Sequence, residues 1–139
     1  MKNACLTLTL CVAVAGCGGT PSGGSSLIGA HAVRFERNQF VHLGSGGIDV
    51  DDGSQDNVVI GNHFRDISGR GVTIGHVDEP LPAPEQTVKG NVIANNFIAD
   101  IGVEYLDSPA ILVGITQGTR IEHNTILRTP YSAVSVGWG

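Results

Sequence analysis

Short runs in which apolar and polar residues alternate recur along this chain, and each run is only four or five residues long. Alternation with a period of two is typical of a β-strand with one buried face, and runs this short do not form helices. In each copy of the pattern an apolar residue precedes an Asn by three positions, and another follows that Asn by two. The four copies occupy residues 35–43, 59–67, 93–101 and 121–129. We therefore predict a repeat built from short strands.

A second motif follows each copy, a small residue and then a short strand with apolar alternate positions. The small residues are Gly47, Gly71, Ala110 and Ala133. They come nine positions after the Asn in three copies and fourteen in the third, which therefore carries an insertion. The repeated asparagines are 24, 34 and 28 residues apart. Units of this size stack only on their neighbours and share one apolar column. This predicts an all-β parallel solenoid of about four coils, each with three short strands.

The asparagines of the repeat are interpreted as structural residues. A tight corner between two strands needs a bent, often left-handed residue, which Asn tolerates. Amides stacked at the same corner of successive coils can also hydrogen-bond one another. The alternative is a row of polar ligands. The four residues are Asn38, Asn62, Asn96 and Asn124, and the first inward-facing side chains are expected to be Phe35, Phe40, Ile48 and Val50.

Composition supports this interpretation and excludes one class of partner. Aromatic residues make up only 5% of the chain and there are 20 glycines, which suits many short strands joined by turns. The net charge is −5, and the eight Lys and Arg residues are scattered rather than gathered in a basic stripe. Proteins that bind nucleic acid usually carry such a stripe. We expect no nucleic-acid partner.

The N-terminus has the pattern of an export signal. Lys2 is followed by an apolar stretch over residues 4–15, and the junction Val-Ala-Gly-Cys at 14–17 resembles the lipobox of bacterial lipoproteins, whose cysteine is acylated. An ordinary secretory signal that contains Cys17 is the alternative. Residues 18–26 are rich in Gly and Ser, as in a flexible linker, so the folded domain is expected at 27–139. The protein is expected to be exported, secreted or attached to the cell envelope, and to contact a membrane only through a lipid anchor.

The repeat resembles that of the right-handed parallel β-helix proteins, the pectate-lyase-like superfamily, which carry such an asparagine ladder. The segments 103–105, 111–114 and 131–139 are also similar to a group of bacterial β-helix proteins, some of them related to glycoside hydrolases. The resemblance covers residues 30–139. It implies a carbohydrate-active extracellular protein, a polysaccharide hydrolase or lyase. Such proteins usually have more coils, so we expect either a fragment or an end covered by a partner.

In this superfamily the strand after the small residue lines the substrate cleft. Alternation then points Asp49, Asp51 and Thr73 outward, and the long segments 76–87 and 102–109 border the same face. Paired carboxylates there can act as general acid and base, or as acid and nucleophile. His76 can transfer a proton near neutral pH. The candidate catalytic residues are Asp49, Asp51, His76 and Glu104, and the candidate substrate-binding residues are Tyr105, Thr73 and Trp138.

Each of these assignments has a plainer alternative. His76 can be a solvated surface residue, Tyr105 can pack its loop onto the solenoid, and Trp138 can be an apolar residue meant for a further coil. The acidic cluster can be a solvated turn or a calcium site, with Asp51, Asp52 and Asp56 as ligands. We expect no cofactor, with calcium as the alternative. We expect no metal at His63 or His123, which flank the repeat asparagines.

Three functions remain open from the sequence. The first is cleavage of a polysaccharide by hydrolysis or β-elimination. The second is a non-catalytic glycan-binding or structural surface module, because the outward positions carry few acid–base groups. The third is a truncated relative without activity. Fold alone does not decide among them.

Overall fold

The structure is a computed structural model that describes residues 24–78 and 81–137. The expected signal segment 1–17 with its lipobox-like Cys17, most of the expected linker, and Trp138 lie outside the described residues. The strands are β1 Ser25–Ile28, β2 Arg34–Glu36, β3 Gln39–Leu43, β4 Ile48–Asp51, β5 Val58–Ile60, β6 His63–Ile67, β7 Val72–Ile74, β8 Val92–Ala94, β9 Phe97–Ile101, β10 Ile111–Val113, β11 Arg120–Glu122, β12 Thr125–Leu127 and β13 Val134–Val136. One 3-10 turn, Pro84–Gln86, lies between β7 and β8.

The strands form three parallel sheets in which each strand pairs with its equivalent one coil away. Sheet 1 has the order β1-β4-β7-β10-β13, sheet 2 the order β2-β5-β8-β11, and sheet 3 the order β3-β6-β9-β12. This is the predicted all-β, right-handed parallel β-helix of about four coils. No helix among the described residues is long and apolar enough to cross a membrane.

The first strand begins earlier than the sequence indicated. We expected the domain to start at residue 27, but β1 begins at Ser25, within the expected linker. The reason is backbone pairing: the Ser25 N–H donates to the carbonyl of Gly47, 2.9 Å away. Composition does not reveal such pairing, because a Gly/Ser-rich segment can also form an edge strand.

The core is a stack of equivalent apolar side chains, as predicted. Ile48 pairs in register with Val72, and Val72 with Ile111, and all three are fully buried. The rings of Phe40 and Phe64 stack with their centroids 4.7 Å apart. Each such side chain stabilises the fold by roughly 1.5–3 kcal/mol. The stack is therefore the main source of stability, since one coil alone encloses no core.

The asparagine ladder is confirmed. The amide oxygen of Asn62 accepts from the backbone N–H of Asn38 at 2.9 Å and from its side chain at 3.1 Å. The same pair of bonds joins Asn62 to Asn96 and Asn96 to Asn124. A second ladder of the same kind joins Asn57 to Asn91. The sequence interpretation missed this second ladder because it has only two members.

The left-handed corner residue is not the asparagine, contrary to our expectation. The residue just before each ladder Asn has a positive φ: Arg37, Gly61, Asn95 and His123, with φ between 54° and 66°. None of the four ladder asparagines has a positive φ. What requires Asn is therefore its side chain, because its amide accepts from one coil and donates to the next.

Candidate functional site

The outer face of sheet 1 carries the predicted row of side chains. Asp49 on β4 pairs with Thr73 on β7, Thr73 with Leu112 on β10, and Leu112 with Ser135 on β13. Ser26 on β1 extends the row by one coil. The alternation that buries Ile48 and Val50 leaves Asp49 and Asp51 on the outer side. Parallel register therefore sets Asp49 directly beside Thr73.

A cleft of about 270 Å³ lies over this row. We call it the acidic cleft. Its floor includes Asp49 and Thr73, and its walls include Arg70 and the loop residues Tyr105 and Asp107. Three residues that the sequence proposed for catalysis or substrate binding, Asp49, Thr73 and Tyr105, thus meet in one place.

The inserted loop 102–109 reaches the cleft because it is bonded back to the preceding coil. The N–H groups of Gly102 and Tyr105 donate to the carbonyls of Gly69 and Ser68, each at 2.9 Å. The N–H of Ser108 then closes a turn onto the Tyr105 carbonyl at 3.0 Å. These bonds hold the half-exposed Tyr105 ring at the rim of the cleft.

A second, more apolar cleft of about 260 Å³ adjoins the first. We call it the tyrosine cleft. It shares Arg70 and Asp107 with the acidic cleft, and its other walls include Leu112 and Tyr131. Because the two clefts share these side chains, they form one continuous surface along the outer face of sheet 1. An extended ligand fits such a surface better than a compact one.

The charged groups of the acidic cleft are available to a ligand. Among the described residues, Asp49, Asp107 and Arg70 form no ion pair within 4.0 Å. Asp49 is partly buried, whereas Arg70 and Asp107 are exposed. A carboxylate accepts hydrogen bonds and a guanidinium donates several, so together they suit a ligand rich in hydroxyl groups.

A second group of polar residues lies where β4 and β7 end. The Nε2 atom of His76 is 2.9 Å from Oδ1 of Asp51 and 3.5 Å from Oδ1 of Asp52. Asp51 and Asp49 are two residues apart on the same side of β4, which separates their Cα atoms by roughly 6.6 Å. Asp51 and His76, both proposed for catalysis, therefore do contact each other, but neither lines the two clefts. This group also contains the ligands that could hold a metal.

Three other residues that the sequence analysis considered lie elsewhere. Asp56 is not in the group with Asp51 and Asp52, because its N–H bonds to the Lys89 carbonyl at the corner that leads into sheet 2. The alternative calcium set of Asp51, Asp52 and Asp56 is thus not assembled. Glu104 is exposed and lines neither cleft, although its neighbour Tyr105 does. His63 packs edge-on against Phe97, with ring centroids 4.9 Å apart.

Sequence reasoning missed three residues of the clefts as site residues, namely Arg70, Asp107 and Tyr131. Arg70 stands directly before Gly71, which the sequence analysis identified only as the small residue that precedes a strand. Its position just before an outward-facing strand was the available signal. Asp107 and Tyr131 reach the clefts through loop conformations that no local pattern specifies.

Comparisons with known proteins agree with the fold. Residues 12–126 match the family described as right handed beta helix region. A solved structure named "Glycoside hydrolase" is similar to this chain, with a TM-score of 0.81 and 36% sequence identity over 87% of the chain. The matched part is 22% of that protein, so the chain spans about a fifth of its length. No curated protein matches. The chain belongs to the family of right-handed parallel β-helix proteins.

Proposed function

We propose that this protein binds an extracellular polysaccharide along the outer face of sheet 1 and hydrolyses a glycosidic bond in the acidic cleft. The observation that carries this proposal is the meeting of Asp49, Asp107 and Tyr105 in one cleft. The similarity of this chain to a solved structure named "Glycoside hydrolase" supports the same chemistry.

The two carboxyl groups supply the chemistry that glycoside hydrolysis requires. One carboxylic acid donates its proton to the glycosidic oxygen as the bond to the leaving sugar breaks. The other carboxylate either takes a proton from the attacking water, or attacks the sugar carbon itself to form a glycosyl ester that a water molecule, deprotonated by the first carboxylate, then hydrolyses. Asp49 is on a strand of the rigid sheet and Asp107 is on the inserted loop. The inserted loop therefore supplies the second carboxyl group of the pair.

The remaining cleft residues suit a sugar chain. Tyr105 and Tyr131 are each about half exposed, one in each cleft, and aromatic faces stack on the apolar faces of sugar rings. Thr73 and Arg70 add hydrogen-bond donors beside Asp49. Their placement along one continuous surface supports binding of several consecutive sugar units.

The test is a screen of the full-length chain against pectins, xylans, alginate and fucosylated glycans. Reducing ends and ultraviolet-absorbing unsaturated ends are both measured. We expect reducing ends without unsaturated ends, and loss of turnover in Asp49→Asn and in Asp107→Asn. The matched control is Asp78→Asn, an exposed carboxylate that lines neither cleft. Unsaturated ends would indicate a lyase, and unchanged turnover in both cleft variants would reject these residues.

A non-catalytic glycan-binding module is the second candidate. It is favoured by the later coils, because Leu112 and Ser135 continue the outer row without any acid–base group. The tyrosine cleft is also mostly apolar, with Leu112, Pro109 and Val77 in its walls. Calorimetry separates the two candidates: glycan binding without turnover in the wild-type chain supports the module.

We propose in addition that the chain is exported and acylated at Cys17. The polysaccharide proposed above as the substrate is extracellular, so export agrees with that function. Labelling cells with a fatty-acid analogue tests this, since the label should appear on the wild-type chain and not on Cys17→Ser. Release of unlabelled wild-type protein into the medium would indicate an ordinary secretory signal.

A further inference from the structure

We propose that Asp51, Asp52 and His76 bind one divalent transition-metal ion of the zinc type where β4 and β7 end. Each residue offers one ligand atom, and the three atoms lie within 4.8 Å of one another. Zinc binds imidazole nitrogen and carboxylate oxygen at about 2.0–2.2 Å, so tetrahedral ligand atoms lie roughly 3.4 Å apart. The observed distances from His76 Nε2, 2.9 Å to Asp51 and 3.5 Å to Asp52, are close to that spacing.

The backbone holds the three residues in place from two successive coils. Asp51 is the last residue of β4, and His76 follows β7, which pairs with β4. The Gly75 N–H donates to the Val50 carbonyl at 2.8 Å, directly before these two side chains. A site built across two coils in this way needs little rearrangement to receive an ion.

A small cavity lies beside two of these three side chains. It has a volume of about 10 Å³ and is lined by Asp52 and His76, by Pro82 and Gln86 of the long loop, and by the apolar Val88 and Ile115. A cavity of this volume holds roughly one water-sized particle. The space next to two of the three ligands thus matches a single bound ion or its water.

The chemistry of the group selects zinc over calcium. Calcium takes about six to eight oxygen ligands, whereas imidazole suits zinc and its neighbours in the transition series. Two carboxylates and one neutral imidazole balance the charge of a divalent ion. Three protein ligands leave one tetrahedral position for water. Metal binding here does not depend on the proposed glycoside hydrolysis.

The protein contains a matched control for this proposal. His42 and Asp66 form another exposed imidazole–carboxylate pair, with Nδ1 2.6 Å from Oδ2. Among the described residues no third ligand joins that pair. In the part of the chain that the structure describes, a His–Asp pair is therefore present twice, and a third ligand joins only the pair that contains His76.

The experiment is calorimetric titration of zinc chloride, and separately calcium chloride, into the full-length chain. The three cysteines are first blocked with N-ethylmaleimide, because thiolates also bind zinc. We expect one equivalent of zinc to bind and calcium to bind far more weakly. Loss of a partner outside the ligand shell already costs about 10–100-fold in affinity. His76→Gln and Asp52→Asn should therefore weaken zinc binding by at least about tenfold, and His42→Gln should leave it unchanged.

The proposal is overturned if zinc does not bind, if His76→Gln and Asp52→Asn both bind as tightly as the wild type, or if His42→Gln loses as much affinity as they do. Far-ultraviolet circular dichroism and metal-free melting confirm that each variant is folded. The d–d absorption of bound cobalt provides a second readout, which should disappear in His76→Gln and persist in His42→Gln. Neither readout uses enzymatic turnover, so failure of the proposed hydrolysis would not affect them.

Discussion

The side-chain amide of Asn62 donates a hydrogen bond to the amide oxygen of Asn96, 3.1 Å away on the next coil, and both side chains are buried. The same Asn62 amide donates to the carbonyl of Phe35 at 3.0 Å. One side chain therefore links three successive levels of the solenoid, since Asn38 also donates to it. The ladder satisfies backbone groups at a corner where the sheet hydrogen bonds end.

Asn62→Ala should lower the free energy of unfolding by roughly 3 kcal/mol. The change removes the acceptor of both Asn38 donors and the donor to the Phe35 carbonyl, and a buried polar group that loses its partner costs about 1–3 kcal/mol. Urea unfolding followed by circular dichroism measures it. Asn124→Ala is the control, because Asn124 is only partly buried at the end of the ladder and water can replace its bonds. Equal losses in the two variants would contradict this explanation.

Gly47→Ala should destabilise the protein by about 1–3 kcal/mol, the usual cost of overpacking. A Cβ atom at Gly47 would collide with the carbonyl oxygen of Gly71 and with the Phe64 ring. The neighbouring Gly46→Ala should be tolerated, since a Cβ atom at residue 46 would lie 3.7 Å from the Arg70 carbonyl oxygen, an ordinary van der Waals distance. Thermal unfolding compares the two variants. A Gly46→Ala variant as unstable as Gly47→Ala would show that backbone freedom, and not space, requires glycine here.

Asp100 should contribute stability that disappears in strong acid. The hydrogen bond from the Arg128 guanidinium lowers the pKa of the Asp100 carboxyl to about 2, and the charge of Arg65 acts in the same direction. Because the folded-state pKa is depressed, the contribution is fully present above the ordinary value near pH 4 and is lost as the pH falls through about 2. The wild type and Asp100→Asn should therefore differ in urea midpoint at pH 6 and converge near pH 2.

Asp78→Asn is the control for this acid dependence, because Asp78 is exposed and makes no ion pair with the described residues. It should show no difference from the wild type at either pH. A constant difference between Asp100→Asn and the wild type down to pH 2 would contradict a role for the ionised carboxylate.

Tyr105→Ala should weaken glycan binding by about tenfold, which corresponds to about 1.4 kcal/mol. Tyr105 lines the acidic cleft, and its ring is expected to stack on a sugar. Leu106→Ala is the matched control, because Leu106 is adjacent and 67% exposed but lines neither cleft. Calorimetry with the glycan found in the screen measures both. Equal effects would indicate that the whole loop has moved, and no effect in either would place the ligand elsewhere.

The sequence by itself determined the solenoid, its number of coils and its inward face. Alternation of apolar and polar residues with a period of two predicts which side chains of a strand are buried. The repeated Asn sets the register between copies that differ in length. The outward positions of Asp49 and Thr73 follow from the same alternation, and the register of the repeat aligns them on successive coils. The Asn ladder was predicted for the same reason, since one residue type recurs at one position of every coil.

Only the tertiary structure decided which polar side chains meet. Asp56 is close to Asp52 in sequence, yet the corner after Ser54 turns it away, while His76 comes from the next coil to contact Asp51. The coils differ in length, so sequence separation says little about distance between side chains in loops. The loop at 102–109 reaches the acidic cleft through backbone bonds to Ser68 and Gly69. Any residue type can form such bonds, so the sequence placed this loop beside the cleft face without singling out Asp107 as a cleft residue.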